Sequence, residues 1–268
     1  MNLALRSEIK RLAAVILIPT AFIGLVASAA DASEVRYTAK VYDTENRTEL
    51  LYNYKSEGEM VGNQYHVTNT FTAPDGKVAM IEHIHFNTDK TASYYDIEQK
   101  QLDAFGKVEV VNGEAKFSYK KDGKEKSDSE KIGADFITTS AIPLDLEANW
   151  SKIMKGEKLK RRLAVVDRME TVGFEFSKEK EVDLNGKKSV VVKMKPSSFI
   201  IAAIVKPLHF YMSMDGTSLY QIDGRTTVKK NVNGSYKDLD AITIYTKGVT
   251  GGLPTAPAAG QPSGGNSK

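Results

Sequence analysis

The sequence predicts a mainly β (α+β) fold: a long-stranded curved antiparallel sheet or open half-barrel packed on one or two helices. Three observations carry that prediction. Asn-Gly or Asp-Gly dipeptides recur at Asp75-Gly76, Asn112-Gly113, Asp122-Gly123, Asn185-Gly186, Asp215-Gly216 and Asn233-Gly234. Both central residues of a type I′ hairpin turn need positive φ, which Asn or Asp followed by Gly tolerates best. The segments between these turns read as strands, several longer than the usual five or six residues. Two stretches break the β pattern, one of them with helical spacing.

Taken in order, residues 1–29 read as a signal peptide. Arg6, Lys10 and Arg11 lead an apolar run from Leu12 to Val26. Ala27-Ser28-Ala29 offers cleavage before Ala30, and Ala30-Asp31-Ala32 a second site before Ser33. The run is shorter than the ~20 apolar residues of a spanning helix, and Pro19 interrupts it. Export to the periplasm is therefore expected, with no stable membrane anchor after cleavage. Residues 30–248 form a single β-rich domain. Its strands include Tyr37–Asp43, Thr48–Tyr54, Met60–Thr72, Val78–Asn87, Ala92–Glu98, Leu159–Asp167, Thr171–Asp183, Ser189–Lys195, Leu208–Met214, Ser218–Ile222 and Ala241–Thr246.

Pro143–Lys155 reads as a helix, with Leu146, Trp150, Ile153 and Met154 on one stripe and Gly156 as its stop. Ser197–Val205 is either a short helix or a buried strand. The charge run Lys120–Lys131 reads as a solvated edge or hairpin, whose mixed signs discourage edge-to-edge association. Residues 249–268, rich in Gly, Pro, Ala and Ser, read as a disordered tail.

The composition narrows the function classes. The chain of 268 residues has 37 Lys+Arg, 34 Asp+Glu and no Cys. Removing residues 1–29 takes away Arg6, Lys10, Arg11 and Glu8, leaving 34 basic against 33 acidic residues. A surface so balanced gives no steering toward nucleic acid. The absence of Cys excludes thiol catalysis, a thiolate metal site and a lipobox. In an exported chain it favours a bacterial envelope protein.

Three of the four histidines fall in one predicted hairpin turning at Asp75-Gly76. A two-residue turn pairs Phe71 with Met80, Val67 with Ile84 and Tyr65 with Phe86, giving one apolar face. His66 then lies across from His85, and Thr68 across from His83, on the other face. His66, His83 and His85 are the candidate metal ligands, since neighbouring same-face positions are within reach of one ion. Pro74 suits a three-residue turn with a bulge, which shifts the pairing. Glu82 falls on the apolar face, opposite Asn69, where desolvation raises a carboxyl pKa. No G-x-S-x-G, H-E-x-x-H, phosphate-loop or dinucleotide motif is present, so no catalytic residue and no cofactor is assigned.

Apolar side chains crowd the segment SFIIAAIVKPLHFYMSMDG. Phe199, Ile201, Ile204, Phe210 and Met212 are the candidate ligand-binding residues, together with Glu82 and with Arg161 for a polar head.

The signal peptide, absent cysteines, successive hairpins and the Pro143–Lys155 helix together resemble the periplasmic lipoprotein-carrier (LolA/LolB-like) proteins in architecture. The resemblance implies a concave apolar face that holds an acyl chain or a peptide. The first functional expectation is a non-enzymatic binding protein for an apolar ligand (a lipid or acyl chain) or an envelope component. The alternatives are a metal-dependent hydrolase using the histidine hairpin, and a β-rich scaffold binding another envelope protein along a sheet edge.

Overall fold

The computed structural model describes residues 34–203 and 205–250, the last four through their backbone. The expected signal peptide 1–29, Ile204 and residues 251–268 of the expected tail lie outside the described residues.

The first half is a continuous antiparallel meander: β1 (Glu34–Asp43), β2 (Leu50–Val61), β3 (Gln64–Thr72), β4 (Val78–Phe86), β5 (Ala92–Gln99), β6 (Ala104–Val111), β7 (Glu114–Lys121) and β8 (Lys124–Lys131). After β9 (Phe136–Ile137) come two short helices, α1 (Ile142–Ala148) and α2 (Trp150–Met154). A second meander follows: β10 (Leu159–Val165), β11 (Glu170–Leu184), β12 (Lys187–Pro196), the one-turn helix α3 (Phe199–Ala202), β13 (Leu208–Ser213) and β14 (Ser218–Arg225). The hairpin β15 (Lys230–Val232) and β16 (Ser235–Lys237) precedes β17 (Asp240–Thr250). β17 continues two residues beyond the expected domain end at Gly248.

Among the described residues, fifteen strands form one curved sheet in the order β8-β7-β6-β5-β4-β3-β2-β1-β17-β14-β13-β12-β11-β10-β9. Every pair is antiparallel except β9 with β10. The last strand is thus slotted between β1 and β14, joining the two meanders. The outer ends approach without forming a ladder. Glu130 on β8 accepts the Thr171 amide at 2.6 Å and faces Arg162 at 3.7 Å, so side chains bridge the gap in the curl. The charged run Lys124–Lys131 is the edge strand β8, nearly all exposed.

Turn chemistry sets the hairpins. Asn112-Gly113, Asp122-Gly123, Asn185-Gly186 and Asn233-Gly234 have both residues at positive φ, as a type I′ turn requires. At Asp75-Gly76 and Asp215-Gly216 the glycine alone is at positive φ. Met60–Thr72, read as one strand, is two: Gly62 at φ +63° turns the chain between β2 and β3.

The β3–β4 hairpin contains two departures that cancel. Ala73 N donates to Lys77 O at 2.8 Å and Gly76 N to Ala73 O at 2.9 Å, so the turn is the longer one that Pro74 favours. A bulge between Phe71 and Thr72 in the ladder then restores Phe71↔Met80, Asn69↔Glu82, Thr68↔His83 and His66↔His85. This is the register expected of a two-residue turn. Met80 and Ile84 are wholly buried, and the histidines share the opposite, convex face.

The concave face holds the core, with Val41, Val108, Phe176, Val190 and Met194 contributed by both meanders. The expected helix is broken at Asn149 into α1 and α2, while Leu146 and Ile153 still point inward and are fully buried. Trp150 is 9% exposed, and its Nε1 donates to Met214 O at 3.0 Å, pinning α2 to the β13–β14 turn. Ser197–Val205 contains a helix, but an exposed one. α3 stands off the sheet between β12 and β13, leaving Phe199 89% and Ile200 75% exposed.

Candidate functional site

The curl of the sheet leaves a hollow of about 400 Å³ on its concave side. One wall comes from β1, β2 and β3 through Tyr37, Tyr54 and Phe71, and β17 adds Tyr245. The facing wall comes from Leu163, Ala164 and Phe174 on β10 and β11, with Met194 and Phe210 between. Ser140, Ile142 and Pro143 at the start of α1 also border it. The inward alternation of the strands brings these side chains together. A helix start shields them because Pro143 fits the first turn, where a missing N–H costs nothing.

The aromatic wall is a packed cluster. Tyr37 stacks on Tyr54 at 5.8 Å, and Tyr245 meets Tyr37 and Tyr54 edge-on at 5.6 and 6.3 Å. Tyr54 also packs against Phe71 at 4.7 Å. Burial raises the Tyr54 and Tyr245 hydroxyls well above the ordinary tyrosine pKa, so both remain neutral donors.

Glu82 is the charged group set deepest in this hollow, at 4% exposure. The Tyr95 hydroxyl donates to Oε1 at 2.9 Å and the Asn69 amide to Oε2 at 3.1 Å. The Ser140 hydroxyl reaches Oε2 at 3.5 Å. Burial pushes the carboxyl above the ordinary carboxylate value, against the lowering effect of those hydrogen bonds.

The rim is polar. Arg225 pairs with Asp238 at 2.6 Å and Asp240 at 2.7 Å, and Lys229 with Asp238 at 2.8 Å. The loop that carries Thr226–Lys229 is strapped to the first meander. Tyr52 OH and Gln101 Nε2 donate to Lys229 O at 2.5 and 2.9 Å, and Gln99 Nε2 donates to Thr227 O at 3.2 Å. These neutral hydrogen bonds hold one side of the mouth in place.

No family model and no curated protein matches the chain. Among solved structures, a β-barrel-like protein of the domain of unknown function DUF1849, from Brucella abortus, is similar with a TM-score of 0.42. It is 10% identical over 80% of this chain and 95% of that chain. A DUF1329 family protein from Desulfovibrio piger has a TM-score of 0.27 and 8% identity, over 81% of this chain and 84% of its own.

The expected ligand-binding residues divide. Phe210 and Glu82 line the hollow. Phe199 does not, because α3 carries it into solvent; Ile201 on the same turn is only partly buried against the core, and Met212 packs within the core elsewhere. Arg161 is gripped by Asp145 through two bonds, Nε–Oδ2 at 2.9 Å and Nη2–Oδ1 at 2.8 Å, which ties β10 to α1 rather than offering a free guanidinium.

The expected metal ligands share a face but do not converge. His66 and His85 stack in parallel at 3.7 Å and 9°, and His85 stacks on Tyr94 at 4.6 Å. Face-to-face rings direct their nitrogens sideways, not toward one point between them. His83 turns away, its Nδ1 2.9 Å from Asp96, and Tyr94 OH donates to the same carboxylate at 2.7 Å. Among the described residues no group of three His, Asp or Glu is arranged to hold a metal ion. The ladder placed the histidines correctly; side-chain rotation decided what they touch.

Tyr37, Tyr54, Tyr95 and Tyr245 are among the lining residues that sequence reasoning missed. Phe71 was recoverable, since it shares the inward face of β3 with Asn69. Tyr245 was not, because its place depends on the long-range β1–β17 pairing.

Proposed function

We propose that this chain is a non-enzymatic, exported periplasmic protein that holds an apolar small molecule, an acyl chain or comparable lipid moiety, inside the hollow of its curved sheet. The observation that carries the reading is the hollow itself. At about 400 Å³ it falls within the range of small-molecule sites. Its lining is aromatic and aliphatic for the larger part, with Glu82 set inside and other polar and charged groups such as Arg225, Lys229 and Asp238 around it. Burying ten methylenes would supply roughly 8 kcal/mol before the costs of association, enough for micromolar capture. The signal-peptide pattern at the N-terminus supports the location.

The test is organic extraction of the protein purified natively from periplasm, followed by mass spectrometry. One apolar species at near-stoichiometric amount is expected, together with saturable binding of a neutral environment-sensitive dye that the extract displaces. A protein with no extractable ligand and no dye binding would sink the reading.

A further inference from the structure

The charges around the hollow are unsuited to an anionic headgroup. Its charged lining residues are Glu82, Asp167 and Asp238 against Arg225 and Lys229. Both cations are already held, Arg225 by Asp238 and Asp240 and Lys229 by Asp238. Arg161 is committed to Asp145, and Arg162 to Thr171 and Glu130. Glu82 is the buried anion of the lining, and the groups that reach it, Tyr95, Asn69, Ser140 and Thr227, are all neutral, while Asp167 is exposed to solvent.

We propose that the ligand carries a cationic nitrogen, so that the hollow takes an apolar amine or quaternary ammonium compound with its positive end between Glu82 and the rings of Tyr54, Tyr95 and Tyr245. The inference rests on the reading of the hollow as an apolar-ligand site and names the chemistry of the ligand's polar end. A carboxylate out of water and without a counter-charge is costly, and a ligand cation supplies that charge. Aromatic rings favour a cation through their quadrupoles, most of all where water is excluded. A fatty acid would instead bring a second negative charge toward Glu82, with no free cation in the lining to receive it.

The experiment is calorimetric titration of the purified full chain, freed of bound lipid, with decyltrimethylammonium, decanol and decanoate. All three are kept below their micelle concentrations at pH 8. The expected order is ammonium, then alcohol, then carboxylate, with the first at least about tenfold tighter than the last. Glu82→Gln should remove the preference for the ammonium while leaving decanol binding within about twofold.

The trimethylammonium has no titratable proton, so its advantage should fade toward pH 4 as Glu82 takes up a proton. The other groups around Glu82 are neutral Tyr54, Tyr95, Tyr245, Asn69, Ser140 and Thr227, with Arg225, Lys229, Asp238 and Asp167 elsewhere in the lining. Equal affinities, or tighter binding of decanoate, would overturn the cationic assignment and leave the apolar hollow standing. Binding of none of the three would remove the hollow's role, and this proposal with it.

Discussion

Gly216 lies directly against the ring of Trp150: a Cβ built on it would stand 2.3 Å from Trp150 Cδ2. Its φ of +76° also disfavours any side chain. The helix pair therefore meets the β13–β14 turn at a point where only backbone fits.

The first prediction follows from that contact. Gly216→Ala should cost about 2–4 kcal/mol, combining overpacking with the left-handed backbone. Trp150→Ala should cost about 3–5 kcal/mol. In the double variant the two costs should fall short of their sum, because the clash disappears with the ring. Urea unfolding of the four proteins measures this; strict additivity would show that the contact does not carry the cost.

A second prediction concerns the gap in the curl. Glu130→Ala removes the acceptor of the Thr171 amide, so that amide should exchange with deuterium at least about tenfold faster. The stability loss should be about 1.5–2 kcal/mol, the lower part of the range for a bond to a charged group. Unchanged exchange at Thr171 would mean that the two sheet ends are held together by something else.

Glu82 gives a pH-dependent prediction. Its folded pKa is raised above the ordinary value of 4.5, so between those two values the folded state holds more proton than the unfolded one. Stability then falls as pH rises through that window and levels off above it. Glu82→Gln abolishes the dependence. The Tm of the variant minus that of the parent should be more positive at pH 8 than at pH 4, and the reverse order would contradict the raised value.

The convex histidines should titrate apart. The hydrogen bond His83 donates to the Asp96 carboxylate raises His83 above 6.5; burial lowers His66, and burial with the neighbouring His66 lowers His85. The His83 contribution to stability is full below about 6.5 and is lost as pH rises through its folded value. His66 and His85 act oppositely, withdrawing stability as pH falls below about 6.5, where the unfolded chain takes up protons first. A two-dimensional NMR titration should place His83 highest of the three, and Asp96→Asn should bring it back toward 6.5. His85 titrating above His83 would show the assignment to be wrong.

What the sequence made legible was local. The inward set Tyr65, Val67, Asn69 and Phe71 and its partners could be read from one hairpin, because alternation and turn position fix a ladder between them. Glu82 emerged from that same ladder. The run SFIIAAIV misled, since apolarity alone does not say whether a segment sits on the sheet or stands off it. Phe199 shows the difference at 89% exposure. The site as a whole was illegible for a related reason. Tyr37 and Tyr245 meet only because β17 crosses back to β1, and no local signal encodes that return.

The position of β17 also bears on the order of assembly. Each meander can zip from its own hairpins as it is made, yet the pairing of Ala39 with Tyr245 spans roughly 200 residues and must wait for the chain's last described strand. Until residues 240–250 are available, the β1 and β14 edges face no partner and the hollow has no floor between them. The sheet is therefore completed by one long-range pairing and by neither meander alone.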